Sequence, residues 1–414
     1  MSEQQWPADK VERRKVAELI PYARNSRTHS DEQVGQIAAS IKEWGWTVPV
    51  LIESNGGLIA GHGRILAAQK LGIEDVPCMV AEGWTDAQRK AYVIADNKLA
   101  LNSGWDDEML KVELGELGEL DFDLSLTGFD PDELAAFFVE EIEGLTDEDA
   151  VPDAPEVPVT VEGDVWLLGK HRLMCGDSTS IDAVDKLMNG QKADMVFTDP
   201  PYNVAYEGKT KEAMTIQNDK MADAEFLEFI TSAFANMYAA MNAGAPIYVT
   251  CPLEDGVFQR AFLDGGLKIQ SILIWLKNTM VMGRKDYHYK HEPIIYGWKE
   301  GAAHFWQGGR DKTSIINCDK PPRNGEHPTM KPVELIEILL GNSGRIDGIL
   351  LDLFGGSGST LIACEKTGRN CRMMELDPKY CDVIIQRWQE FTGQTATLEA
   401  TGKAYAELAI DAGS

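Results

Sequence analysis

Apolar residues recur along this chain with two periods. Val34, Ile37, Ala38, Ile41 and Trp44 are spaced three and four apart, which predicts one face of an α-helix, opened by a Ser30/Gln33 capping box. A strand is predicted over Val48–Glu53, a hairpin turn at Asn55-Gly56-Gly57 and a returning strand over Leu58–Ala60. That strand runs into Gly61-His62-Gly63-Arg64 and a helix to Lys70, closed by Gly72. Residues 16–102 thus read as a compact α/β unit. Asp130-Pro131-Asp132-Glu133 suits a helix N-terminus, with Leu134, Phe137, Phe138 and Ile142 on one side. The second half changes character. Met195-Val196-Phe197 and the run from Gly348 to Phe354 are short and almost wholly apolar. That is the pattern of parallel strands buried on both faces. A helical run, Thr360 to Lys366, and a further strand, Cys371–Glu375, follow.

Chemistry gathers where these strands end. Asp199-Pro200-Pro201-Tyr202 closes the first apolar run. The prolines fix φ and cannot donate, so the backbone there is rigid and offers carbonyl oxygens beside a carboxylate and an aromatic face. That set suits the exocyclic amine of a flat base; taken alone it also suits a turn after a strand. Asp352-Leu353-Phe354-Gly355-Gly356-Ser357-Gly358 feeds the helical run, so its glycines allow close backbone approach beside free N–H groups. A dinucleotide fingerprint would need a further glycine at 361, where Leu361 stands. Glu375 ends the next strand, where a carboxylate suits the ribose diol of an adenosine-containing cofactor.

With Leu173-Met174-Cys175-Gly176-Asp177 and His327-Pro328-Thr329-Met330-Lys331-Pro332, these motifs make five pieces in one order across about residues 160–395. In that order the chain resembles the β group of DNA amino-methyltransferases, in which the catalytic motif precedes the cofactor loop. The resemblance implies an α/β architecture: a Rossmann-like S-adenosylmethionine-dependent methyltransferase domain over 161–400, with target recognition about 277–326 and a tail at 401–414. It implies direct methyl transfer to a flipped base, with Asp199 and the Pro200 carbonyl accepting from the amine, Pro201 completing the motif and Tyr202 stacking. Asp at the first motif position leans towards adenine N6 over cytosine N4. Cofactor contacts are implied at Asp177, Thr329, Lys331, Asp352, Phe354, Gly356, Ser357, Gly358 and Glu375. Double-stranded DNA is the expected partner, within a restriction-modification setting.

Residues 12–100 resemble the ParB-like domain, related in fold to sulfiredoxin, through Arg24-Asn25-Ser26-Arg27 and Gly61-His62-Gly63-Arg64. This implies a smaller α+β domain, placed at 1–102, in which Gly61, Gly63 and Arg64 stand where relatives hold nucleotide phosphates. The turn has no cysteine, which excludes sulfiredoxin activity. A DNA-binding or scaffold module with a degenerate pocket is the plainer expectation. A nucleotide here and a homodimer remain open as partners.

Composition refines this reading. A net charge of −27 is unusual for a DNA enzyme, but residues 103–164 hold 21 Asp/Glu and one Lys. Residues 103–160 read as an acidic helical segment and linker, with 144–160 a flexible tether. Residues 277–323 carry a net +4, which nominates Lys277, Arg284, Lys285, Lys290, Arg310, Lys312 and Arg323 for DNA contact, with Lys209 and Lys211 beside them. Seven scattered cysteines without Cys-x-x-Cys argue against zinc and disulfides and for a reducing cytoplasm. His288-x-x-His291-Glu292 is weak as a metal pair, and no metal is expected. No apolar run approaches membrane-spanning length, and the first residues do not read as a signal peptide.

Overall fold

A computed structural model describes residues 8, 10–24, 27–100, 105–138, 142–203, 221–253, 256–281, 286–309, 312–319 and 330–412. The chain divides into two units, 1–138 and 139–414.

The first unit contains β1 (Val11–Lys15), α1 (Asp31–Trp44), β2 (Val50–Glu53), β3 (Leu58–Ala60), α2 (His62–Leu71), β4 (Asp75–Ala81), α3 (Asp86–Ala100), α4 (Asp107–Glu119) and α5 (Pro131–Phe138). Its sheet runs β1-β4-β2-β3, with β2 parallel to β4 and the other pairs antiparallel. Val50, Ile52, Leu58, Ile65, Ala68, Val76 and Cys78 fill its core. Ser30 caps α1 by accepting from the Gln33 amide at 3.1 Å. The Gln33 side chain turns instead to His29 Nδ1, 2.9 Å away, so only half of the expected capping box forms. A reciprocal box occurs at α5: Glu133 N donates to Asp130 Oδ1 and Asp130 N to Glu133 Oε2, both at 2.8 Å.

The second unit contains β5 (Val165–Leu168), β6 (His171–Cys175), α6 (Ile181–Met188), β7 (Met195–Thr198), α7 (Asp223–Ala240), β8 (Pro246–Thr250), α8 (Val257–Asp264), β9 (Lys268–Val281), β10 (Tyr289–Trp298) and β11 (Ile315–Asn317). It continues with α9 (Val333–Ser343), β12 (Ile349–Asp352), α10 (Ser359–Lys366), β13 (Asn370–Glu375), α11 (Pro378–Thr392), β14 (Thr397–Leu398) and α12 (Tyr405–Ala412). The sheet order is β11-β9-β10-β8-β7-β12-β13-β6-β5-β14. Strands β6, β13, β12, β7 and β8 are mutually parallel, with antiparallel additions at β5 and β10. Their continuous apolar sequences follow from burial on both faces, since two core clusters form in this unit. One cluster includes Trp166, Leu339, Leu361 and Trp388; the other includes Phe226, Phe234, Phe258 and Phe262. Among the described residues no helix is long and apolar enough to cross a membrane.

Two expectations need correction. The helix at Asp130 ends at Phe138 in the described residues; Ile142 is outside it, and its amide donates to Lys366 O. Residues 144–160 are not a free tether. Leu145 N donates to Phe391 O at 2.7 Å. The Glu148 carboxylate pairs with Lys366. Asp149 Oδ1 accepts from Val333 N at 3.1 Å. Val159 N and the Thr160 amide and hydroxyl all donate to the Asp382 carboxylate. Acid and proline suggested solvation, but these carboxylates and amides find buried partners.

Candidate active site

Strands β7 and β12 lie side by side and parallel, with Val196 opposite Leu351. From β7 the sheet continues to β8, and from β12 in the other direction to β13. The winding therefore reverses between them, and the crevice beyond their carboxyl ends is where open α/β sheets bind ligands. The two strand ends are joined by Asp352, only 2% exposed. Its Oδ1 accepts from Thr198 Oγ1 at 2.8 Å and Phe354 N at 3.1 Å, and its Oδ2 from Thr360 Oγ1 at 2.6 Å. The expected cofactor contact at Asp352 is thus corrected: its carboxylate turns inward and braces the loop. Burial pushes its pKa up to about 7 against these hydrogen bonds.

Asp199 follows Thr198, at the mouth of this crevice. Lys331 Nζ donates to its Oδ2 at 2.7 Å. Tyr202 OH donates to its Oδ1 at 3.1 Å, and Thr250 Oγ1, from the end of β8, donates to the same oxygen. A carboxylate offers about four lone-pair sites, so three donors fix its orientation and leave acceptor capacity. Lys331 is 7% exposed and also 3.5 Å from Glu292 Oε2. Burial alone would lower the Lys331 ammonium, but Asp199 and Glu292 hold it well above the usual lysine range. Burial, then the Asp199 charge, raises the Tyr202 phenol well above its ordinary value, so it stays a donor. The Tyr202 ring stands edge-on to Phe258 at 5.8 Å, with Lys331 Nζ 5.4 Å from its centroid. Lys331 was expected at the cofactor; its ammonium is instead the counter-ion of Asp199. Asn203 exchanges hydrogen bonds of 2.7 and 3.0 Å with the Met221 backbone.

The glycine-rich turn sits beside this group. Gly355 N donates to Met374 O at 2.8 Å, tying the turn to β13. Gly358 caps α10 at φ +87°, and a Cβ there would come 3.1 Å from Ile384. Ser357 O accepts from Arg387 at 2.8 Å, and the Phe354 ring meets Phe229 edge-on at 6.0 Å. Glu375 accepts from Gly356 N at 2.8 Å and Asp377 N at 2.9 Å, and burial pushes its pKa up to about 7 against them. Gly356 is exposed, and a Cβ built on it would meet nothing within 4 Å. A half-buried carboxylate with lone pairs to spare, next to open backbone, fits a ligand bearing a ribose diol.

Asp177 lies just past β6, where it accepts from the Thr179 amide and hydroxyl, both at 2.8 Å. Of the nominated basic residues, Lys277 is 5% exposed, pairs with Glu292 and lies 4.6 Å over the Trp275 ring. It is corrected from a DNA contact to part of the buried charge network around Lys331. Lys290 and Lys312 are exposed. Thr329, Arg284, Lys285, Arg310, Arg323, Lys209 and Lys211 lie outside the described residues. Glu292, named with His288 and His291 in the weak metal motif, is the carboxylate between Lys277 and Lys331. Sequence reasoning missed Thr250 and Glu292 because single polar residues on strands β8 and β10 carry no motif.

In the first unit, Gly61 (φ +96°) caps α2 and Gly63 is buried against Ile37 and His29. Arg64 Nη1 donates to Val48 O and Pro49 O at 2.7 and 2.9 Å. These two bonds hold one nitrogen of the guanidinium against the backbone. The three residues line a cleft with Arg27, Trp44 and Asp96.

Comparison with known proteins matches three stretches of the chain. Residues 1–97 match the ParB N-terminal domain, 108–162 the ParB-methyltransferase HTH domain, and 193–387 a DNA methylase family. Over 81 residues the chain is 53% identical to the ParB-like nuclease domain-containing protein YnaK of Escherichia coli K12, covering 20% of this chain and 93% of that protein. Over 225 residues it is 24% identical to the type II methyltransferase M2.MboI of Moraxella bovis, covering 48% and 81%. The crystal structure of an M1.HpyAVI–SAM complex overlaps 52% of this chain and 97% of that one at 21% identity, with a TM-score of 0.41.

Proposed function

We propose, from the premise that this chain belongs to the N6/N4 DNA methylases and carries a fused ParB N-terminal domain, that it methylates adenine N6 at a defined sequence in double-stranded DNA. S-adenosylmethionine supplies the methyl group, activated as a sulfonium. One observation carries the reading: a carboxylate, Asp199, held by Thr250, Tyr202 and Lys331 beside a glycine turn and the Glu375 carboxylate.

An aromatic amine is a poor nucleophile, because its lone pair is delocalised into the ring. Asp199 and the Pro200 carbonyl accept from its two N–H groups, favour a tetrahedral nitrogen and stabilise the positive charge that develops there. Lys331 and Thr250 aim the Asp199 carboxylate by donating to its two oxygens. Tyr202 offers an aromatic surface beside the amine site, and stacking of this kind is worth roughly 1–3 kcal/mol. The base reaches it by leaving the duplex stack, at a cost of a few kcal/mol. Glu375 would hold the ribose diol of the cofactor, with the Gly356–Gly358 backbone beside it.

Modified-base sequencing of DNA from cells expressing the protein tests this reading. N6-methyladenine in one sequence context is the expected result. N4-methylcytosine would move the target to the cytosine reading, and no modification by a folded protein would favour a ParB-like regulatory protein with an inert methylase half. For the first unit the reading is a scaffold or DNA-binding module, with Gly61, Gly63 and Arg64 lining the cleft where a nucleotide would sit.

A further inference from the structure

Residues 142–149 precede the sheet of the second unit, yet they reach both halves of the active site. Gly144 lies against the Phe391 ring so closely that a Cβ would stand 2.0 Å from it, so only glycine fits there. Leu145 N donates to Phe391 O. These contacts fix where the next residues fall.

From Glu148, one connection leads to the cofactor turn. Its carbonyl accepts from Arg387 Nη2 at 2.7 Å. The other arm of the same guanidinium, Nη1, donates to Ser357 O at 2.8 Å and lies 3.4 Å from both Ser357 Oγ and Ser359 Oγ. Arg387 is 3% exposed. Its planar fork bridges two backbone carbonyls, which a lysine cannot reproduce. From Asp149, a second connection leads to the catalytic acid. Asp149 Oδ1 accepts from Val333 N at the start of α9. Two residues earlier, Lys331 holds Asp199. Glu148 is also anchored through Lys366, which pairs with Glu337 of α9 at 2.7 Å.

We propose that residues 144–149 form a clamp that positions the active site, with Arg387 setting the cofactor turn and Asp149 setting Lys331 against Asp199. Neither residue touches substrate; both are positioning residues. The inference rests on the reading that the cofactor lies on the Gly355–Gly358 turn. The clamp is the stretch by which the chain enters the methylase unit. A change of path upstream would therefore act on cofactor binding and on the acid together.

The two arms predict different kinetic effects, which a general loss of packing would not separate. Full-length Arg387→Met should weaken S-adenosylmethionine binding roughly tenfold or more, the scale of a lost charged hydrogen bond, with kcat at saturating cofactor within about threefold of wild type. Arg387→Lys should rescue little. Asp149→Ala should lower kcat roughly tenfold with cofactor affinity unchanged, and Asp149→Asn, which keeps the acceptor, should restore it. Calorimetry and single-turnover methyl transfer read the two quantities. Glu375→Ala is titrated alongside. If it leaves cofactor binding unchanged, the reading of the cofactor site fails. If it weakens binding while Arg387→Met does not, the clamp alone is overturned. Should Arg387→Met not fold, the Asp149→Ala and Asp149→Asn pair decides: equal kcat in both, or a loss of kcat and affinity together in Asp149→Ala, refutes the clamp.

Discussion

Cofactor affinity should depend on pH through Glu375. In the ligand-free protein its carboxyl is raised from 4.5 to about 7, chiefly by burial. A ribose diol donates to a carboxylate acceptor, so binding selects the ionised form. Below about pH 7 the group is mostly neutral and must lose its proton before it can accept. Affinity therefore weakens as pH falls, approaching tenfold per unit well below the midpoint. For one proton with a midpoint at 7, binding at pH 6 should be roughly tenfold weaker than at pH 8, or about 1.4 kcal/mol. Titration calorimetry at pH 6, 7 and 8 and fixed ionic strength measures this. The cofactor's α-amino group titrates near the same range, roughly 7.7–8.0 for such amines. Glu375→Gln supplies the control, since that contribution is common to both proteins. The Gln variant should bind more weakly at pH 8 and lack the tenfold term. If the ratio of the two affinities is the same at pH 6 and pH 8, Glu375 does not gain the cofactor's hydroxyls as an ionised acceptor. Stability follows the opposite sign. A carboxyl raised in the folded state contributes stability that is full below its unfolded value and lost as pH rises through about 7. The ligand-free enzyme should thus weaken with rising pH while cofactor protection grows.

Asp199→Ala should lower methyl transfer by roughly 10²–10³-fold or more while cofactor affinity stays within a few fold; labelled-methyl transfer near the wild-type rate would remove Asp199 from the chemistry. Asp352→Asn should gain stability relative to wild type between pH 5 and pH 8, because Asp352 is raised from 3.8 to about 7 by burial and its ionisation becomes costly as pH rises. The gain is on the order of a few kcal/mol, read by thermal melts, and a pH-independent difference would refute it. A fragment starting at residue 155, which lacks the Leu145, Glu148 and Asp149 contacts, should melt about 5 °C or more below one starting at 142; equal melting points would restore the free-tether reading.

The parallel strands were legible because burial on both faces leaves an unbroken apolar run, as at Met195–Phe197 and Ile349–Leu351. The motifs at their ends were legible because proline and glycine are needed there for backbone reasons that leave a mark in sequence. The partners of those motifs were not. Thr250 and Glu292 reach Asp199 and Lys331 only because the sheet places β8 beside β7 and β10 beside β8. Lys277 and Lys331 illustrate the same limit. A lysine near a basic stretch reads as a DNA contact and a lysine near a cofactor motif as a cofactor contact, until folding buries each against a carboxylate. The acidic stretch misled in the opposite direction, since composition cannot reveal that Asp149 and Glu148 have an amide and an ammonium waiting for them.

That same stretch bears on how so acidic a chain approaches DNA. Residues 103–164 carry 21 carboxylates and one lysine, and most of them fall within the match to the helix-turn-helix domain. Phosphate affinity comes from Lys and Arg displacing counterions, and a segment with this charge repels a duplex. Part of the acid finds partners within the methylase unit: Glu148 pairs with Lys366, and Asp149 accepts from the α9 amide. Another part, seven carboxylates on α4 and α5, is set in the other unit, with apolar residues such as Trp105, Met109 and Val112 that are more than half exposed. Its charge leaves phosphate contact to other surfaces, and its link to the methylase runs through the residues that grip Arg387 and α9. The sequence between the two units is therefore under a packing constraint from the active site, whatever the first unit binds.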